Sequence, residues 1–335
     1  MTESSTPLSD TTDTVGPGGP VLAYTTLRER ARARTLIDQV ATSASLYVML
    51  IPTFLLLALF CLVPFVIAIW RSFQEYEVGG VAKFVGLSNY REYLFHDYTF
   101  LQSFGNMIFL TLFAVICVIV VPLIVAKLIF SLSSERASYL YRILFLIPII
   151  VPNIAIFLIW RSLIYGDDGL LNRISGLFGL PQPAHGWFST PSTVLWAIAF
   201  IGFPFAGGIN ILIYYAGLTS IPESVHEAAE LDGAIGLRKF FTIDVPMVMS
   251  QIKLLVMLTI IGGVQAFEGV YILTSGGPGF RSLVPGLWMY QNAFKFQRMG
   301  YACAIGVILF VLILALTIFN MRYFRSAEQL QGQTR

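Results

Sequence analysis

"EAAELDGAIGLRKFFTIDVP", Glu227 to Pro246, is a polar interruption between two long apolar runs. With Glu223 just before it, the segment carries five carboxylates: Glu223, Glu227, Glu230, Asp232 and Asp244. In "TSIPESVHEAAELDG" Ser220 and Glu223 have the spacing of a capping box. Pro222 falls in the first turn, where a missing N–H costs nothing. Gly233 stands where a helix wants a left-handed residue after its C-terminus. Ile221, Val225, Ala228, Ala229 and Asp232 recur at spacings of three and four, which puts them on one mostly small, apolar face. Beyond Gly233 a second short helix carrying Arg238 and Lys239 returns the chain to Pro246. A helix-turn-helix lying flat on a membrane surface is a lever that a soluble body can grip.

The surrounding composition supports the membrane reading. Of 335 residues, 56% are hydrophobic and 12% charged, against about 25% charged in a soluble domain. A net charge of +2 gives nucleic acid no handle. Cys61, Cys117 and Cys303 fall inside apolar runs and read as small apolar residues rather than a disulfide framework. With His96, His185 and His226 they form no metal-ligand spacing, so no metal is expected. "HEAAE", His226 to Glu230, begins like the zinc-protease motif H-E-x-x-H, but Glu230 stands where the second imidazole should be.

Apolar runs near 46–70, 104–130, 143–164, 194–217, 248–274 and 302–321 predict an all-α polytopic protein with about six transmembrane helices. Each run is close to the ~20 residues that cross a bilayer core, and none alternates with period two, which excludes a β-barrel. The Arg-rich run Arg28–Arg34 ahead of the first span places the N-terminus in the cytoplasm, and six crossings bring the C-terminus back there. Residues 1–35 read as a disordered tail with a basic end, 36–325 as the transmembrane domain with a cytoplasmic loop at 219–246, and 326–335 as a second tail.

The spacing E-A-A, three residues, Gly, nine residues, Ile-x-Leu-Pro is the signature loop of binding-protein-dependent ABC transporter permeases, and this chain resembles it closely. Glu227, Ala228, Ala229, Gly233, Ile243 and Pro246 are in register, with Val245 where Leu is usual. "GLSNY" (Gly86–Tyr90), "GLLN" (Gly169–Asn172), "AGLTSIP" (Ala216–Pro222), "FEGVYILTSGGPG" (Phe267–Gly279) and "YQNAFKFQRMGYACAIGVILF" (Tyr290–Phe310) resemble the carbohydrate-type branch. "LTSGGP" looks like the larger permease subunit of maltose transporters.

The resemblance implies a type I ABC importer permease in a bacterial or archaeal cytoplasmic membrane. Its partners would be a second, different permease, two ATP-binding subunits and an extracytoplasmic solute-binding protein. It also implies that Glu227, Ala228, Ala229, Asp232, Gly233 and Pro246 form the coupling interface to an ATP-binding subunit. The chain has no G-x-x-x-x-G-K-[ST] and no Gly-Lys dipeptide, so it cannot cradle nucleotide phosphates. It is not expected to be an enzyme or to bind a cofactor; ATP and magnesium belong to the partners.

Breakers crowd spans 3 to 5: Pro148, Pro152, Gly202, Pro204, Gly207, Gly208, Gly262 and Gly263. Such breaks either line a cavity or let helices pack closely. Asn153, Asn210, Glu268 and Tyr271 are the candidates for a substrate path, since sugars are read by amides, carboxylates and aromatic faces; the competing reading makes them helix glue. Span interiors contain no Lys or Arg, which favours a neutral mono- or oligosaccharide. The alternatives are a non-sugar solute such as glycerol phosphate or a polyol, and an ion-coupled secondary transporter, for which one intramembrane Glu and no internal repeat give little support.

Overall fold

The computed structural model describes residues 44–183, 185–204 and 207–323. The tails at 1–35 and 326–335, with the Arg28–Arg34 run, lie outside the described residues. Two units are distinguished, up to Val66 and from Ile67 onward. In the first, α1 (Ala44–Leu57) runs into a π turn at Ala58–Leu62 and onward into α2 (Val63–Ser72), which crosses the unit boundary. Its side chains from Val48 to Val66 are apolar and largely exposed, the surface a lipid-facing helix offers.

The second unit opens with an antiparallel pair, β1 (Gln74–Glu75) and β2 (Lys83–Phe84), in the register Gln74↔Phe84. Asn89, from the "GLSNY" stretch, is buried and donates from Nδ2 to the carbonyls of Ser72 (2.8 Å) and Gln74 (3.0 Å). A two-residue ladder is too short to hold itself; the amide fixes it to the end of α2.

The long α3 (Thr99–Phe130) is the spine. After it come α4 (Glu135–Leu146), α5 (Asn153–Ile159), α6 (Leu170–Leu177), α7 (Val194–Ala199) and α8 (Gly208–Thr219). The loop segment forms α9 (Glu223–Leu231) and α10 (Gly236–Lys239). Then follow α11 (Met249–Gln265), α12 (Glu268–Thr274), α13 (Pro285–Tyr290) and α14 (Met299–Tyr323).

Two apolar cores lie along the spine. One joins Val118, Leu123, Ala126 and Ile129 of α3 to Tyr214 and Leu218 of α8 and to Val248, Ile252 and Leu255 around the start of α11. The other joins Met107 of α3 to Val264, Val270, Leu287, Tyr301 and Ile305. Gly263 lets α11 close on α3, for a Cβ there would stand 2.6 Å from Thr111 Oγ1. Small residues at such contacts supply van der Waals packing where lipid removes the hydrophobic drive.

The expected spans are not all continuous. Among the described residues, three helices are long and apolar enough to cross a membrane: Val48–Ser72, Thr99–Phe130 and Met299–Arg322. Glu135–Ile150 with Asn153–Ile164 is bent by 88°, and Gly236–Met247 with Met249–Gln265 by 68°, giving up to five spans if each pair is one. The run at 194–217 divides into α7 and the short α8, because Gly202, Pro204 and Gly207 stand between them. Gly202 and Gly207 both have positive φ, +78° and +104°, a backbone no helix continues through.

Candidate functional site

The loop folds as the helix-turn-helix its sequence predicts, with two corrections. No capping box forms: Pro222 occupies the N-cap, and the Ser220 hydroxyl turns back to donate to the Gly217 carbonyl at 2.7 Å. The small-residue set is also divided by exposure. Ile221 and Ala229 are buried and Val225 is partly so, whereas Ala228 and Asp232 are exposed.

The C-terminus of α9 does match. Ala234 N–H donates to the Ala229 carbonyl at 2.8 Å and Gly233 N–H to that of Glu230 at 3.0 Å, the two bonds of a Schellman motif. Gly233 takes φ +73°, the left-handed conformation the motif needs. Helix α10 then leads through a π turn at Phe240–Asp244 and a short helix at Val245–Met247 into α11.

The loop has a seated face and an open one. On the seated face, His226 is 7% exposed and its ring lies 5.9 Å from that of Phe130, the last residue of α3. Neither imidazole nitrogen has a hydrogen-bond partner, so the ring serves as an apolar plate. The open face carries Glu227, Ala228 and Asp232 beside three large apolar side chains, Leu231 (90% exposed), Ile235 (70%) and Leu237 (77%). Exposed apolar groups rimmed by charge are the mark of a docking surface.

A buried ion pair ties the loop's exit to the spine. Lys127 Nζ lies 2.6 Å from Oδ2 of Asp244, whose side chain is fully buried. Neither carboxylate oxygen receives a well-directed hydrogen bond, so charge alone holds the pair. The exposed Pro246 follows one short step beyond. The loop therefore meets α3 at two places, His226 against Phe130 and Asp244 against Lys127. His226 and Asp244 carried no signal of this role in the sequence: one resembled half a zinc motif, the other is an interior position of the loop signature, and both roles depend on contacts far along the chain.

The candidate substrate-path residues separate into two places. Asn210 lines a cavity of ≈ 240 Å³ with Phe113, Phe203 and Thr259. Asn153 lines one of ≈ 590 Å³ with Phe157 and Trp160, at the bend between α4 and α5. Ile201 and Gly207 belong to both, so the cavities adjoin at the interrupted fourth run. Glu268 and Tyr271 lie instead on α12, both exposed. There the Tyr271 ring sits 5.2 Å from Tyr290, which stacks on Phe267 at 5.5 Å. Asn106, also polar at depth, is structural: it is buried and donates to the Leu283 carbonyl at 2.8 Å.

At the opposite end of the spine, Asp97 gathers donors from three segments. It accepts from Thr99 N–H (2.8 Å) and Oγ1 (2.7 Å), from Trp288 Nε1 (2.8 Å) and from Tyr301 Oη (2.6 Å). Burial alone would raise its pKa; the hydrogen bonds from Thr99, Tyr301 and Trp288 outweigh it and leave the carboxyl below the ordinary 3.8.

Broken apolar helices packed around one long apolar helix suit a membrane subunit. Residues 118–327 match the family described as "Binding-protein-dependent transport system inner membrane component", and the chain belongs to that family. It is 31% identical over 284 residues to the probable ABC transporter permease protein YurN of Bacillus subtilis, covering 84% of this chain and 97% of that one. The arabinooligosaccharides transport system permease protein AraP of the same organism is 31% identical, over 83% of this chain and 88% of its own. The sn-glycerol-3-phosphate transport system permease protein UgpA of Escherichia coli O157:H7 is 28% identical, over 85% and 95%. The fold is also similar to a chain of a bacterial ABC transporter involved in the import of the acidic polysaccharide alginate. That likeness has a TM-score of 0.73 at 19% identity, over 87% of this chain and 100% of the other. The protein is thus a permease subunit rather than an enzyme, and ATP hydrolysis lies in separate subunits.

Proposed function

We propose that this chain is one of two different permeases in an ATP-driven importer of a neutral mono- or oligosaccharide, and that residues 220–246 couple it to an ATP-binding subunit. Six crossings, counting the interrupted fourth run as one, put both termini and the loop in the cytoplasm and Asp97 outside. The reading rests on the open face of the loop: Leu231, Ile235 and Leu237 exposed beside Glu227, Ala228 and Asp232. Closure of two ATP-bound subunits would draw the loops together, and the spine would carry that motion to the helix breaks. ATP drives such a change only as far as it binds one state better than the other.

For the substrate, Asn153 and Asn210 line adjoining cavities at the breaks, and Glu268 and Tyr271 present a carboxylate and a ring on α12. These groups suit hydroxyls. The second reading, glycerol phosphate, is favoured by the likeness to UgpA. A solute-binding protein, two ATP-binding subunits and a bacterial cytoplasmic membrane complete the assembly; this chain itself holds no ATP or magnesium.

The test is Gly233→Asp in the assembled transporter. The expected result is normal insertion and assembly with ATP-dependent uptake of maltotriose, arabinotriose or sn-glycerol 3-phosphate lost. Wild-type uptake by that variant would remove the coupling assignment, and the solute taken up by the parent transporter decides between the two substrate readings.

A further inference from the structure

A cavity of ≈ 630 Å³ has "LTSGGP" on one wall, and Asn172 of "GLLN" braces the other without lining it. Pockets that take small ligands run from about 300 to 1,000 Å³. One wall is the turn Tyr165–Asp167 with the loop around His185 and Trp187; the other is the end of α12 with Thr274, Ser275, Gly277 and Pro278.

Asn172 builds the first wall. Its Nδ2 donates to the carbonyls of Gly166 (3.2 Å) and Asp167 (3.0 Å), and its Oδ1 accepts from Trp187 Nε1 at 2.7 Å. One amide thus uses both its donors and its acceptor to fix two segments against each other. Arg161 joins the walls by donating from Nη1 to the Ile272 carbonyl at 3.2 Å. The cavity's shape is therefore set without a ligand, which lowers the ordering cost of binding one.

The lining alternates in chemistry. Arg161 and His185 offer donors, Asp167 an acceptor and Ser275 a hydroxyl, while the rings of Tyr165 and Trp187, 6.0 Å apart, add apolar surface. A ligand whose polar groups both donate and accept, and whose ring faces are apolar, satisfies that set. An anionic ligand meets Asp167 as a like charge, and an apolar one leaves the Asp167 carboxylate without a partner. We propose that this cavity is an outer saccharide subsite, which holds neutral sugar rings before they pass to the cavities at Asn153 and Asn210. It rests on the orientation and substrate class given under the proposed function.

The test uses the complete transporter without its binding protein, with Ser189→Cys as a reporter on the cavity wall. Labelling by a membrane-impermeant maleimide is read by mass spectrometry on the peptide containing residue 189. Maltotriose, arabinotriose, an alginate trisaccharide and sn-glycerol 3-phosphate are titrated in turn. A neutral trisaccharide at about four times its dissociation constant is expected to slow labelling about fivefold. Adding Arg161→Gln or Asp167→Asn is expected to abolish that protection. Protection by no saccharide, by an anionic solute alone, or only by added unloaded binding protein overturns the subsite, the last making the cavity a protein socket. Uptake assays on the same transporter separate the two claims. Uptake of a neutral saccharide without protection removes the subsite alone, whereas uptake only of an anionic solute removes the substrate class.

Discussion

The Lys127 ammonium lies 2.6 Å from the buried carboxylate of Asp244, and so joins the end of the spine to the loop's last turn before α11. The pair has no second set of hydrogen bonds to share its charge. Removing one member leaves the other stranded, whereas removing both leaves an apolar contact. Lys127→Met or Asp244→Asn is expected to cost about 3–5 kcal/mol, and Lys127→Met with Asp244→Leu to recover most of it. Thermal unfolding in nanodiscs measures this; a double-variant loss equal to the sum of the two single losses would show that the pair does not interact.

His226 leads to the opposite expectation. Its ring is buried against Phe130 with both nitrogens unpartnered, so the polar atoms cost desolvation and return nothing. His226→Phe keeps the plate and removes that cost. The variant should be as stable as the parent or more so, with coupling between ATP hydrolysis and uptake preserved, while His226→Lys should lose coupling. A fall in stability for His226→Phe would reveal a partner for the imidazole in the assembled transporter.

Neighbouring glycines in α11 should behave differently. A Cβ on Gly262 meets nothing within 4 Å, whereas one on Gly263 runs into Thr111. Gly262→Ala is expected to be neutral or to add about 0.5–1 kcal/mol through helix propensity. Gly263→Ala should cost about 1–3 kcal/mol by overpacking. Denaturation of the two variants side by side checks the contact between α11 and α3.

Asp97 sets an acid limit. Its carboxyl titrates below 3.8 when folded, so its contribution is present above that unfolded value and is lost as pH falls through the folded one. The stability advantage of the parent over Asp97→Asn should therefore hold near neutrality and shrink below about pH 4. A pH-independent difference would mean that the hydrogen bonds from Trp288, Tyr301 and Thr99 do not depend on the charge.

The loop was legible because its signals are local: Gly233 announces the end of α9, and Arg238 to Pro246 mark the return. The start of α9 departs from the local signal because Pro222 takes the N-cap, and the Ser220 hydroxyl donates to the Gly217 carbonyl instead of accepting from a first-turn N–H. Run 194–217 looked like a span by hydropathy, yet the backbone that Gly202, Pro204 and Gly207 impose divides it. Lys127 with Asp244, and Asp97 with Trp288 and Tyr301, join residues more than a hundred positions apart, and no spacing rule reaches that far. The motifs "GLSNY" and "GLLN" stood out as words; only the fold shows Asn89 and Asn172 at work as braces.

Leu231 tests the central claim most directly, since its side chain is 90% exposed at the tip of α9. With Leu231→Cys in the complete transporter, a short bifunctional cross-linker should join this chain to an ATP-binding subunit, with a yield that changes when ATP is bound. A cross-link yield no higher than that of a cysteine on the opposite side of the membrane, in a transporter that still imports its solute, would contradict the account.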